Sequence, residues 1–370
     1  MTLPLHPLPA VDLRHLRRLT DDTGLYQHAV YATPDRRHGY CIDDNARALI
    51  AALYHARLEG PDEARVPIHT YLAFLAYAYN PQPQQFRNFM GYDRGWLEDR
   101  GSHDSQGRTL WALGLAVQMA PSASVRGLAL DLYGKALGSL EDLGFIRSWA
   151  FALLGLDAYL EADPPPDADP GPLEASGAAF SRAADRLMDA YTRHARPDWP
   201  WWEDTVTYDN AKLPHALLVA GSRLGRRDMT DAGLASLSWL LKQQTAEDGA
   251  GAPRLSVIGN RGWLQRGRPR AAFDQQPLEA YALVDACLQA ARRSADAADR
   301  TRWESRARMC FDWFIGRNDL GTSLYDPETG GGRDGLNPDG PNQNQGAESS
   351  LAYLLSVLEI RLYAAETAIR

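Results

Sequence analysis

The sequence predicts an all-α fold, a closed toroid of six helical hairpins with long loops crowding one mouth. Three observations lead there. Apolar residues recur at helical spacing through twelve segments, and no long alternating run reads as a strand. Short and long links alternate between the segments, and short links join antiparallel neighbours, so the helices pair into hairpins. The long links end alike: carboxylate and polar residues come last, then an apolar helix begins.

The helical segments lie near 11–19, 43–58, 66–79, 104–119, 124–139, 146–161, 174–194, 209–223, 228–243, 274–291, 300–315 and 346–364. Short links separate 43–58 from 66–79, 104–119 from 124–139, and 209–223 from 228–243. The links 80–103, 195–208, 244–273 and 316–345 are long, and the part near 255–272 has room for a short hairpin. DPPPDADPGP at 163–172 has a linker's composition. Helical pattern resumes directly after it, so it reads as a surface loop and residues 1–370 as one domain.

Long loops inside a compact domain are usually functional or disordered. These carry FRNFMGYDRGWLEDRGSHD, RPDWPWWEDTVTYDN, VIGNRGWLQRGRPRAAFD and NDLGTSLYDPETGGGRDGLNPDGPNQN, which is not the composition of disorder. The helices after long loops begin IDDNARALIAAL, HDSQGRTLWALGLAV, YDNAKLPHALLVAG, FDQQPLEAYALVDA and NQGAESSLAYLLSV, with IRSWAFALLGLDAYL a weaker member. Asp43 and Asp44 thus recur in kind at Asp104, Asp209, Asp274 and Glu348. Capping alone predicts Ser, Thr, Asp or Asn at such places. It does not predict the accompanying Trp, Tyr, Gln, His and Arg. A toroid gathers these starts around one pocket.

Net charge is −8 with pI near 5.6, and no basic run points to nucleic acid or an anionic membrane surface. No apolar stretch approaches the ~20 residues of a membrane span. MTLPLHPLPAVDLRHLRRL lacks the apolar core of a secretory signal. Cys41, Cys287 and Cys310 are too scattered for a disulfide framework or a zinc site, and the nine His show no metal-ligand spacing. The expectation is a soluble cytoplasmic protein that needs no metal and no cofactor.

HGYCIDDNARAL, GSHDSQGRTLWALG, WWEDTVTYDNAKLPHAL, FDQQPLEA and GRNDLGTSLYDPETGGGRDGLNPDGPNQNQGAESSLAYLL resemble stretches of the six-hairpin (α/α)6-barrel glycosidase superfamily. They look closest to a bacterial group of such domains found fused or adjacent to glycosyltransferases. The resemblance runs from about residue 38 to 355. It implies carbohydrate chemistry in the mouth, an oligosaccharide substrate and a functional association with a glycosyltransferase. Most members of the superfamily are hydrolases; others are phosphorylases, lyases and epimerases, and fold alone does not choose.

A glycosidase needs two carboxyl groups flanking the glycosidic bond, one to donate a proton and one to activate water or attack the sugar. Asp43, Asp44, Asp104 and Glu203 are the candidates. The alternative for the aspartates is plain structure: Asp43 or Asp44 as an N-cap or a partner of Arg36, Arg37 or Arg47, and Asp104 as a cap in competition with Ser102 and Ser105. Asp43 or Asp44 with Asp104 would resemble the paired aspartates of the superfamily's glucuronyl-hydrolase branch. Trp201 and Trp202, beside Glu203, could stack on a sugar or simply close the core. His38, Tyr40, His103, Tyr208, Asn210, Trp263, Asp274, Gln275, Gln276, Asn344 and Gln345 complete the expected sugar-binding set, since amides and hydroxyls suit sugar hydroxyls. An epimerase would use His bases, for which His38, His103 and His215 are available; a non-catalytic sugar-binding module would keep the aromatics and amides without needing the carboxylates.

Overall fold

The computed structural model describes residues 8–60, 67–162 and 171–368. Among them are twelve α-helices: α1 (Arg14–Leu19), α2 (Ile42–Glu59), α3 (Ile68–Ala78), α4 (His103–Met119), α5 (Ala123–Leu137), α6 (Ile146–Glu161), α7 (Gly171–His194), α8 (Lys212–Leu224), α9 (Arg227–Gln243), α10 (Pro277–Arg293), α11 (Ala297–Asp312) and α12 (Ala347–Ala368). The even-numbered helices form a closed inner ring in which each packs on the next and α12 packs back on α2. The odd-numbered helices lie outside that ring, α1 against α12 among them.

Burial follows that division. In α10 every residue from Pro277 to Ala291 is buried, as a helix enclosed on all sides requires. The outer α7 alternates buried and exposed faces. Between α4 and α6 the backbones touch. A Cβ on Gly107 would lie 2.6 Å from the Ser148 carbonyl oxygen, and one on Gly114 would overlap the backbone of Gly155. Small residues here let the two inner helices approach more closely than side chains normally allow.

The strands are pairs of two or three residues in the loops. The hairpin expected near 255–272 is displaced: Thr245–Glu247 pairs with Pro253–Leu255, whereas Leu264–Gln265 pairs with Thr205–Val206 of the preceding long loop. Helices α8 and α10 begin three residues later than the pattern suggested, because Asp209 and Asp274 close the loops and Pro277 opens α10. Most of the expected linker, 163–170, lies outside the described residues. Among the described residues no helix is long and apolar enough to cross a membrane, and no group of three or more His, Cys, Asp or Glu is placed to hold a metal.

Candidate active site

All six inner helices start at the end where the long loops gather. Each directs a positive dipole end there, which stabilises carboxylates in the first turn. Asp43 and Asp44 lie in the first turn of α2, Asp104 in that of α4, Glu279 in that of α10 and Glu348 in that of α12. None of the three aspartates is the cap. The cap of α2 is Cys41, whose Sγ accepts from Asp44 N at 3.4 Å, and the cap of α4 is Ser102, whose Oγ accepts from Ser105 N at 3.1 Å. The capping explanation therefore fails for Asp43, Asp44 and Asp104.

Three buried arginines from successive inner helices brace these carboxylates. Arg47 of α2 pairs with Asp44 at 2.9 Å and reaches Glu348 of α12 at 3.0 Å. Arg108 of α4 pairs with Asp43 at 3.0 Å and Asp209 at 3.1 Å. Arg147 of α6 pairs with Glu203 at 2.9 Å and donates to the Tyr208 carbonyl at 2.5 Å and to Asn210 Oδ1 at 3.3 Å. Asp43 and Arg47 are four apart, as are Asp104 and Arg108. That spacing usually signals a pair within one helix. Here each arginine reaches the neighbouring helix or loop, Arg47 while also holding Asp44 of its own helix, so the pairs link the mouth around its circumference.

Asp43 is turned toward α4, one oxygen on Arg108 and the other accepting from Asn88 Nδ2 at 3.1 Å. Asp44 is enclosed, and the Cys41 thiol donates to it at 3.1 Å. Burial pushes the Asp44 carboxyl up to about 6 against the pull of Arg47, with the Glu348 charge adding to the rise. The Tyr208 hydroxyl donates to Asp104 Oδ2 at 2.6 Å, while Asp104 Oδ1 is buried and accepts no hydrogen bond from the described residues. Arg108 feels Asp104 as well as its two direct partners; despite burial, the three carboxylates raise its pKa. Asp209, with φ +48°, donates its backbone N–H to Glu279, and Asn210 Nδ2 donates to the same carboxylate at 2.7 Å. Burial, helped by the charge of Asp209, pushes Glu279 up to about 7.

Below this ring the interior is plugged. The buried Lys212 amine bonds Asp285 and lies 4.4 Å from the centre of the Trp111 ring and 4.3 Å from that of Tyr281. His215 Nδ1 is 3.1 Å from the same Asp285, and Tyr281 donates to Glu359 at 3.1 Å.

Asp43, Asp104, Glu203, Tyr208 and Asn210 are thus joined in one network through Arg108, Asp209, Glu279 and Arg147, with Asp44 beside it on Arg47. Other expected residues lie elsewhere. Trp201 and Trp202 are 0% and 1% exposed; Trp201 packs on Trp239, Trp202 on Tyr191, and Trp202 Nε1 donates to the Leu187 carbonyl at 2.9 Å. They are core, because WPWW folds back onto α7 and α9 rather than lining the mouth. Tyr40 is buried, stacked on Tyr26 and bonded to Asp21 at 2.7 Å. Gln275 is saturated by Trp313, Ala272 and Asp319, and Gln345 by Thr329 and Asp326, so both fasten loops. Asp274 has its pKa raised by burial and faces the amide of Asn337; Gln276 caps α10 by position, without a side-chain bond. Trp263 is half-buried with φ +58°, and Asn344 Oδ1 accepts from Tyr31 N at 2.9 Å. His38 lies on the exposed rim, 3.7 Å from Asp35; His103 accepts from the Gly144 N–H at 2.8 Å. Arg47, Arg108, Arg147 and Glu279 were not expected to act in the site. The repeated four-residue Asp-to-Arg interval in DDNAR and DSQGR was the available signal for the first two.

No protein-family model and no curated protein sequence matches the chain. Solved structures do. A sugar epimerase from a ruminal bacterium superposes with a TM-score of 0.70 at 12% identity over 95% of each chain. The cellobiose 2-epimerase of Bacillus thermoamylovorans gives 0.68 at 13% identity over 94% of this chain and 95% of its own. An α-1,6-mannanase from a Salegentibacter species, bound to α-1,6-mannotriose as an inactive variant with two consecutive aspartates changed to asparagine, gives 0.60 at 12% identity over 95% and 96%. At such identity the likeness is one of fold: the chain has the six-hairpin (α/α)6-toroid architecture that these structures share.

Proposed function

We propose that the protein is a glycoside hydrolase that acts on a short neutral oligosaccharide at this mouth, with Asp43 and Asp104 carrying the proton transfers. The observation that carries the reading is their setting. Both sit at inner-helix starts beside Arg108, and Asp104 keeps one buried oxygen without a donor. A buried unsatisfied acceptor is costly, and a substrate hydroxyl or a glycosidic oxygen sharing a proton would satisfy it. Asp44 stands behind and fixes Arg47, which holds Glu348. Glu203 and Tyr208, both on Arg147, form the adjoining wall, with the Tyr208 hydroxyl on Asp104. The mannanase inactivated at two consecutive aspartates supports the idea that aspartates can carry chemistry on this architecture.

Charge supports hydrolysis over phosphorolysis. Among the described residues, Asp43, Asp44, Asp209, Glu203 and Glu348 pair with Arg47, Arg108 and Arg147, so each of these guanidiniums is already engaged by carboxylates. An incoming phosphate would meet arginines that are already engaged, and several like charges.

The test is kcat/KM of Asp43→Asn and Asp104→Asn on an oligosaccharide identified by screening manno- and cello-oligosaccharides. Loss of the general acid should cost roughly 10²–10⁴-fold on a natural leaving group and much less on an activated aryl glycoside. Near wild-type turnover by both variants would sink the assignment.

Epimerisation of a free sugar is the second reading, favoured by the two epimerases among the similar structures. Against it, His215 is sequestered on Asp285, His103 is occupied by the Gly144 amide, and His38 sits on the outer rim. Exchange of solvent deuterium into the sugar C2 position without cleavage would decide for that reading. Sugar binding with neither cleavage nor exchange would favour a non-catalytic module that serves a glycosyltransferase.

A further inference from the structure

Tyr31 occupies an unusual place. It is the first residue of the two-residue turn that joins Ala29–Val30 to Thr33–Pro34, and its φ is +51°. Glycine or asparagine is the ordinary occupant of such a turn. A tyrosine there costs of order 1 kcal/mol in backbone strain. Its ring is nevertheless 66% exposed and therefore gains little from burial. A strained residue with an exposed aromatic ring contributes nothing evident to folding.

The turn is also fixed in position. Tyr31 N donates to Asn344 Oδ1 at 2.9 Å, and Gln345 N donates to the Tyr31 carbonyl at 2.9 Å. Four residues earlier, the Gln27 carbonyl accepts from Ala347 N at 2.9 Å. These partners are the last loop residues before α12 and its first residue, immediately ahead of Glu348, which Arg47 holds at the mouth. The Tyr31 ring is thus carried on a braced main chain at the rim beside α12. Because Asn344 spends its oxygen on the Tyr31 amide, its Nδ2 donor is left without a partner among the described residues. An apolar aromatic face next to an unspent amide donor matches a sugar ring, which offers C–H groups on its face and hydroxyls on its edge.

We infer that Tyr31, with Asn344 beside it, forms an outer sugar subsite at the rim, so that the mouth takes chains extending past the cleaved bond rather than single sugars. The inference rests on the carbohydrate reading above and adds the length of the substrate to it. The strain at φ +51° makes it testable in a way a structural role would not be. Tyr31→Gly relieves the backbone, so its melting temperature should equal or exceed that of wild type. Tyr31→Phe keeps the face.

The experiment is calorimetric titration of wild type, Tyr31→Gly and Tyr31→Phe with α-1,6-manno-oligosaccharides and cello-oligosaccharides of two to five units. For wild type, affinity should rise at the chain length that reaches the rim. Tyr31→Gly should lose that increment, binding the longer chains about three- to tenfold more weakly, and Tyr31→Phe should retain it. If wild type and Tyr31→Gly show the same length dependence, the subsite is refuted while the carbohydrate reading stands. If wild type binds none of the series, both fall. A lowered melting temperature for Tyr31→Gly would instead give the tyrosine a structural role and overturn the inference.

Discussion

Asp44 and Asp43 are neighbours in sequence with different fates: one is enclosed behind Arg47, the other turns to Arg108 of the next inner helix. The enclosed one leaves a signature in stability. Its pKa rises from 3.8 to about 6, so between those values the native state holds a proton that the unfolded chain releases. That contribution is complete below about pH 4 and is lost as pH rises through about 6, at up to about 1.4 kcal/mol per pH unit. Asp44→Asn cannot titrate, so its melting temperature should lack this component of the decline between pH 4 and 6. An unchanged slope in the variant would trace the decline to another group. The aromatic residues divide in a similar way. Trp202→Ala should cost about 3–5 kcal/mol and be seen in thermal melts, because the ring is core. Tyr208→Ala removes a 39% exposed ring and should leave melting near wild type while weakening sugar binding. The sequence could not separate these two cases. WPWWEDTVTY places tryptophan and tyrosine in one loop, and which of them turns inward depends on how the loop folds back onto α7 and α9.

At the scale of elements, the helices and their order were legible because each inner helix needs an apolar surface all round, and that surface recurs after each long loop. The carboxylates at their starts were legible for the same reason. Arg47 was legible as a partner for Asp43 or Asp44, and it does pair with Asp44. Its reach to Glu348 and the roles of Arg108 and Arg147 were not read, since only the ring turns each arginine to its neighbour. Helix contact through glycine was equally hidden: Gly107 and Gly114 of α4 and Gly155 of α6 look like weak points in a helix. They are where α4 and α6 meet, with a Cβ on Gly155 lying 2.5 Å from the Leu110 carbonyl oxygen. Gly114→Ala should therefore destabilise although alanine is the better helix former. Overlap with backbone cannot be relieved by a rotamer change, and a cost of about 1–3 kcal/mol is expected. Chemical denaturation would read it as a lower midpoint. An unchanged or raised midpoint would mean that α4 and α6 can part without loss, and the close crossing would be incidental to stability. The same substitution should also reduce turnover under the proposed function, because Arg108 and Arg147 start from these two helices.

The whole molecule is a ring that has to be closed where its last inner helix meets its first. The joint is α12 on α2, and α1 lies along it from outside, with Leu13, Leu16 and Leu19 buried against the α12 side of the core. Arg361 of α12 also donates to the Pro9 carbonyl at 2.9 Å. Burying a leucine contributes about 1.5–3 kcal/mol, so three contribute roughly 5–9 as an upper bound. Total stabilities of folded domains are about 5–15 kcal/mol. Removing α1 should thus threaten the closure itself and not merely trim an edge. The bridge of Arg47 to Glu348 spans the same joint at the mouth. A chain beginning at Asp21 should melt well below the full chain, and hydrogen exchange should be fastest in α12 and at the start of α2, with α6 and α8 on the far side better protected. Loss of protection spread evenly over all inner helices would mean that the toroid unfolds as one unit, with no weak joint. Protection equal to that of the full chain would mean that the six inner helices close the ring by themselves and that α1 is only a cover.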